Sequence, residues 1–167
     1  MNEKKKVIID LDGSEVVSQV ILDLVNSFPG LAGKKFLFSE LGEDNGLGFF
    51  PSAGSILESS TETITGHVTQ ICTYPFTLVY RAAPRSEKQR LRIKGLLDAI
   101  GRWLEQQPVV LDGEAVKLAA YPALTNGDRV IKSISRTGPG ALNAVYDNRV
   151  EDWTITASVR YENQFDK

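Results

Sequence analysis

From Glu15 onward, apolar residues recur every three to four positions. Val17, Val20, Ile21, Leu24 and Phe28 fall on one side of a helix in "EVVSQVILDLVNSFPG". Ser14 stands where an N-cap is wanted, Glu15 suits the positive helix start, and Pro29-Gly30 ends the run. The period then changes. "KKFLFSELG" is short and aromatic, which predicts a strand, and "EDNGLGFFPSAGS" is rich in turn formers. In "HVTQICTYPFTLVYRAA" the period is two, so Cys72, Tyr74, Phe76, Leu78 and Tyr80 share a face. Gly66-His67 marks a tight turn between two strands. Pro75 has no N–H to give a ladder and predicts an edge position or a bulge.

A second helical period fills "SEKQRLRIKGLLDAIGRWLEQQP". Ser86 and Gln89 have capping-box spacing, and Ile93, Leu96, Leu97, Ile100 and Leu104 form the apolar face, with Trp103 alongside. Gly95 and Gly101 weaken this helix, which predicts close packing against another backbone. The chain from Val109 to its end is strand-like and broken by turns. Its last piece alternates most cleanly: Trp153, Ile155, Ala157, Val159 and Tyr161 face one way, and Thr154, Thr156, Ser158 and Arg160 the other. Two helices among many strands predict an α+β fold, a mixed, mostly antiparallel sheet with both helices on its dry face. Residues 1–14 read as an N-terminal arm or edge strand, and residues 15–167 as one domain.

Composition narrows the functional classes. The net charge of −2 argues against a strongly basic nucleic-acid binder. One cysteine, Cys72, leaves no internal disulfide, and its place on an apolar strand face makes it a core residue. No apolar run approaches the ~18 residues of a membrane span. These features predict a soluble protein made in a cytoplasm. The lysines at 4–6 read as a solvated tail.

The most chemical-looking stretch is "VIIDLDGS". It is similar to the nucleophile loop of the haloacid-dehalogenase-like phosphatases, in which one carboxylate attacks phosphorus and a second, two residues on, acts as acid and base. Asp10 and Asp12 would take those roles with Mg²⁺ between them. The remaining parts are missing. Near Asp128 a second acid is replaced by Lys132, and Asp112 and Glu114 lack a parallel-strand setting. The alternating βα units such a sheet needs are also absent from the pattern. The better reading makes Asp10 and Asp12 exposed acids before a helix, with Gly13 turning the chain and Ser14 capping it. His67 is the only histidine, which removes His-pair metal sites, and it reads as a surface or turn residue. Gly138-Pro139-Gly140 is a bend, because no helix comes after it. Trp103 and Trp153 read as core or interface anchors.

The order of parts carries a resemblance. A helix ends in "LVNSFPG", then come the glycine-rich "LGEDNGLGFFPSAG", Gly66, the strand "YPFTLVYRAA", the helix "LLDAIGRWLEQQP" and a closing strand ending "VRYE". Over about residues 15–163 this resembles the phage minor capsid proteins that act as tail terminator or tail completion proteins of long-tailed phages. The most specific pieces are "YPFTLVYRAAP", the helix it leads into, and Tyr161-Glu162. They are patterns of fold, with no catalytic residue among them. The opening "KKKVIIDLDGSE" has no counterpart in that pattern.

The resemblance implies a non-enzymatic virion protein without a cofactor, assembled in the host cytoplasm and placed at the head–tail junction. Its partners would be copies of itself in a ring, usually hexameric, the major tail tube protein, and the head-side connector or stopper. DNA would pass through the lumen without specific binding. Another neck or head–tail joining role is the nearest alternative, and the phosphatase a more distant one. A ring needs two different patches on each subunit. An edge strand over 70–80 would supply one by pairing across subunits, with Tyr74, Phe76 and Tyr80 in the contact. The turn-rich segments 42–55 and 137–150 would act as contact arms, presenting Phe49 and Phe50, and Asn143 and Tyr146.

Overall fold

The computed structural model describes residues 8–124 and 128–167. Among these, helix α1 (Leu11–Asn26) is followed by strands β1 (Phe36–Phe38), β2 (Gly46–Pro51), β3 (Ile56–Glu62) and β4 (His67–Ala82). Helix α2 (Glu87–Leu104) leads to a small hairpin of β5 (Val109–Leu111) and β6 (Glu114–Val116). Strands β7 (Asp128–Arg136), β8 (Ala141–Val145) and β9 (Glu151–Asp166) complete the chain. The α+β expectation holds, with a mixed, mostly antiparallel seven-stranded sheet.

The sheet is built on two long strands. β4 and β9 pair antiparallel over 16 positions, from His67↔Asp166 to Ala82↔Glu151, a ladder about 50 Å long. β2 and β3 lie end to end along the outer side of β4, and β7 and β8 end to end along the outer side of β9. β1 adds to β2 in the parallel direction. The pleat sorts the faces as the period-two pattern predicts. Cys72, Tyr74, Phe76 and Leu78 join Ile155, Ala157, Val159 and Tyr161 in one core. Val17, Ile21 and Leu24 of α1 and Leu97, Ile100 and Leu104 of α2 enter that same core, so both helices cover one face. Thr77 and Thr156 meet on the other face, their hydroxyls 3.3 Å apart.

Several expectations are corrected. Strand 70–80 is not an edge. β4 is flanked on both sides, because its long run of β-branched and aromatic residues is buried best in the middle of the sheet. Pro75 fits there for a local reason. Its carbonyl accepts from Ser52 N (2.9 Å), so the position of its missing N–H faces the gap between β2 and β3, where a donor is not needed. Segments 42–55 and 137–150 are not free arms, since each contains a sheet strand, β2 and β8. Gly95 has open space where a Cβ would go. Gly101 is a close approach to side chains rather than to another backbone: a Cβ there would meet Arg136 Cδ at 2.3 Å and Ile155 Cδ1 at 2.9 Å.

Helix α2 starts as read, with Ser86 Oγ accepting from Gln89 N at 3.2 Å. Helix α1 starts earlier than read. Its N-cap is Asp10, whose Oδ1 accepts from Gly13 N at 3.0 Å, an interaction worth about 1 kcal/mol. Ser14 instead donates to the Asp10 carbonyl and accepts from Ser55 N at 2.7 Å. The segment expected as an arm or edge strand therefore divides. Leu11–Ser14 is the first turn of α1, and Ile9 forms an isolated bridge with Ile56 of β3. Residues 1–7, with the lysine tail, and residues 125–127 lie outside the described residues.

Candidate assembly surface

The two opening aspartates have separate fates. Asp10 is not the exposed acid that the sequence suggests. Its Oδ2 accepts from Tyr161 OH (2.7 Å) and Arg129 Nε (3.1 Å), and its Oδ1 from Arg129 Nη2 (2.9 Å) and Gly13 N. The Asp10 and Arg129 side chains are 12% and 11% exposed. Burial pushes the Asp10 carboxyl pKa up, but the bonds from Arg129, Tyr161 and Gly13 outweigh it and hold the acid below its usual range. Tyr161 moves upward, through burial and the Asp10 charge. Gly13 does not turn the chain. It is glycine because a Cβ would lie 2.0 Å from Asp10 Oδ2 and 2.5 Å from Tyr161 OH. Asp12 points to solvent. Four donors thus saturate the carboxylate that would attack phosphorus, and the two aspartates do not converge on a shared site.

At the far end of the β4–β9 ladder stands a second group of charges. Arg81 meets Asp152 through Nε–Oδ1 (2.7 Å) and Nη2–Oδ2 (2.9 Å), and Tyr146 OH donates to the same carboxylate at 2.8 Å. The Arg81 bonds hold the Asp152 pKa below its usual range, against a smaller opposing effect of burial. Beside it, Arg90 grips the buried Glu151, which also accepts from Trp153 Nε1 at 3.1 Å. Between the start of α2 and the turn after β8 lies a groove of about 810 Å³. It is edged by Pro84, Arg85, Arg90, Val145, Tyr146 and Arg149.

Toward the other edge of the sheet a groove of about 690 Å³ runs between α1 and β1. Asp12, Glu15, Val16, Gln19, Leu22 and Phe38 line it. Phe38 is 46% exposed, Leu37 43% and Leu11 75%.

The residues expected at an interface divide between core and surface. Tyr74, Phe76 and Phe49 are fully buried; the Phe49 and Phe76 rings stack with centroids 5.1 Å apart, and Tyr74 OH bonds Ser18 Oγ at 2.6 Å. They belong to the core because β2 and β4 place them under the helices. Phe50 is half-buried on the open face, and Tyr80 is half-buried with its hydroxyl taken by Lys34. Asn143 and Tyr146 are exposed, at the bulge of β8 and in the turn after it. Pattern reading alone misses Leu37, Phe38, Arg85, Val145 and Arg149. The charge contrast of the helices, no Lys or Arg in α1 and five in α2, marks the two regions but none of these residues, which lie outside both helices.

The other residues with chemical potential have structural places. Cys72 is buried, and burial raises its thiol pKa. His67 Nδ1 lies 2.7 Å from Asp166 Oδ1 at the end of the ladder. Trp103 is buried and meets Phe28 edge-on at 5.4 Å, and Trp153 is half-buried against Glu151. Gly140, closing the Gly-Pro-Gly bend, donates to Asp98 Oδ1 at 2.7 Å. Asp112 and Gly113, both at positive φ, make the tight turn between β5 and β6. Among the described residues no three His, Cys, Asp or Glu come together in a way that could hold a metal ion, and no helix is long and apolar enough to cross a membrane. A scan against protein-family models finds no match, and a search of the curated proteins finds none either.

Proposed function

We propose that the chain is a structural subunit of a phage tail terminator, a ring that closes the tail tube and offers its other face to the head-side connector. In this reading it is not an enzyme. It acts in the virion through contacts with its own copies, with the tube protein and with the connector, while DNA passes through the lumen. The observation that carries the reading is the arrangement of exposed apolar side chains. Among them are two groups toward opposite edges of the sheet: Leu11, Leu37 and Phe38 beside α1 and β1, and Leu142, Val145 and Tyr146 along β8 and its turn; others, such as Ile64, Leu91 and Val110, lie elsewhere. Two unlike patches toward opposite edges suit a heterologous contact, and such a contact closes into a ring when the rotation allows. The likeness in the order of elements to tail terminators points to the same use.

The outer strands other than the three-residue β1 argue for joining by side chains. β3, β7 and β8 each carry a register shift, at Glu58, Lys132 and Asn143, and a bulged edge is a poor template for strand addition. The test is tube growth. Purified tail tube protein polymerising in vitro should stop lengthening when this chain is added, with density capping one tube end in negative-stain images. Tubes that grow on with bare ends would remove the proposal. A cap between connector and tube, bound only to the connector, would move the chain to another position in the neck.

A further inference from the structure

The two helices have opposite charge. α1 holds Asp12, Glu15 and Asp23 and no cation, so its net charge is −3. α2 holds five cations against Glu87 and Asp98, a net of +3. On the face they share, the topology sets them toward opposite edges: α1 lies against β1, and α2 lies over β9 and β7. Each helix borders a groove in which apolar and charged groups alternate. On the α1 side are Asp12 and Glu15 with Val16, Leu22 and Phe38; on the α2 side are Arg85 and Arg149 with Pro84, Val145 and Tyr146.

We infer that these two grooves are the halves of one contact: the Arg85–Arg149 groove of one copy receives the Asp12–Glu15 groove of the next. This rests on the ring proposed above and names the surfaces that would close it. Local charges leave these groups available. Arg85 and Arg149 are exposed, and neither side chain makes an ion pair among the described residues. The acid in their groove, Glu151, is already held by Arg90 and Trp153. On the other side Asp12 and Glu15 are exposed outside any ion pair among the described residues, and the nearby cation, Arg129, is bound to Asp10. The apolar groups give each groove something to bury: Phe38 at 46% exposure on one side, Val145 at 63% and Tyr146 at 44% on the other. Two like grooves would repel, so the charges also forbid a two-fold contact of either groove with itself. A contact in which one copy gives only its basic groove and the next only its acidic groove is head-to-tail, which is the geometry a ring needs.

The test is sedimentation velocity on the full chain across a concentration series, without tube protein. The wild-type chain should associate beyond a dimer, and less so at high salt, because exposed charges are screened there. Asp12→Lys with Glu15→Lys should abolish association at concentrations where the wild type is assembled, and so should Arg85→Glu with Arg149→Glu. An equimolar mixture of the two variants should restore it, because each altered groove then meets an altered partner. The neutral pair Asp12→Asn with Glu15→Gln, gentler on the helix start, should weaken association and flatten its salt dependence. Thermal melts of each variant report folding separately. The inference is overturned by a wild type monomeric at every concentration, by folded variants that associate like the wild type, or by a mixture of folded variants that stays apart. Tube capping is read independently: a chain that assembles as described yet leaves tubes bare keeps the contact and loses the terminator.

Discussion

The molecule uses Arg, Asp and Tyr together twice, and the two uses differ. Asp10, Arg129 and Tyr161 meet under the helices, with Tyr161 fully buried. Asp152, Arg81 and Tyr146 meet on the open face; the Asp152 carboxylate is as buried as that of Asp10, but Arg81 is 20% and Tyr146 44% exposed. In the first cluster burial is the largest influence on the carboxyl, and it is overcome only because every lone pair is engaged. In the second the arginine dominates and burial is secondary. The cover over the arginine and the tyrosine, not over the carboxylate, separates the two. The enclosed cluster fastens the start of α1 to the far strands β7 and β9. The open one leaves a tyrosine and a guanidinium at the surface, 5.3 Å from ring centre to guanidinium carbon, beside the basic groove.

Breaking the enclosed cluster should cost most. Asp10→Asn removes the buried carboxylate charge that Arg129 and Tyr161 bond and should lower unfolding free energy by about 3 kcal/mol in urea titrations. A loss below about 1 kcal/mol would show the pair to be no more than a surface bridge. Acid sharpens the same point. The folded-state pKa of Asp10 is depressed, so its contribution is present above the unfolded pKa of about 4 and is lost as pH falls through the folded value. The wild type should therefore lose stability steadily below about pH 4, and Asp10→Asn should lose less over that range. An identical acid slope would take Asp10 out of the account.

Next comes the packing beneath α2. Gly101→Ala should destabilise by about 1–2 kcal/mol, since the new methyl meets Arg136 and Ile155 under the helix. Gly95→Ala, with open space around it, should stabilise by about 0.5–1 kcal/mol. Smallest among the losses is the open cluster: Asp152 is itself buried, but Arg81 is 20% and Tyr146 44% exposed, so water solvates the partners left behind and Asp152→Asn should cost about 1 kcal/mol. A cost equal to that of Asp10→Asn would erase the distinction between the clusters.

The face assignments were legible because they depend on period alone. The alternation at 72–80 and 153–161 named the two core strands, and Ile93 to Leu104 named the core side of α2. Strand order was not legible. Pro75 reads as an edge signal until the gap between β2 and β3 is known, and that gap is set by residues about 20 positions earlier. Asp10 misleads for a related reason. Local sequence offers Ser14 as a cap, whereas Arg129 and Tyr161, far along the chain, draw Asp10 inward. The candidate surface was half legible. Aromatic content points to Tyr74, Phe76 and Phe49, which the core claims, while the opposed charges of the two helices can be counted from the sequence and are the better guide.

Native mass spectrometry reads the use of these surfaces most directly, on the free chain over a concentration series and on material released from capped tube ends. A single closed assembly of more than two copies is the predicted species in the released material and, at the higher concentrations, in the free chain. A two-fold dimer in either sample, or a free chain monomeric at every concentration, would contradict it.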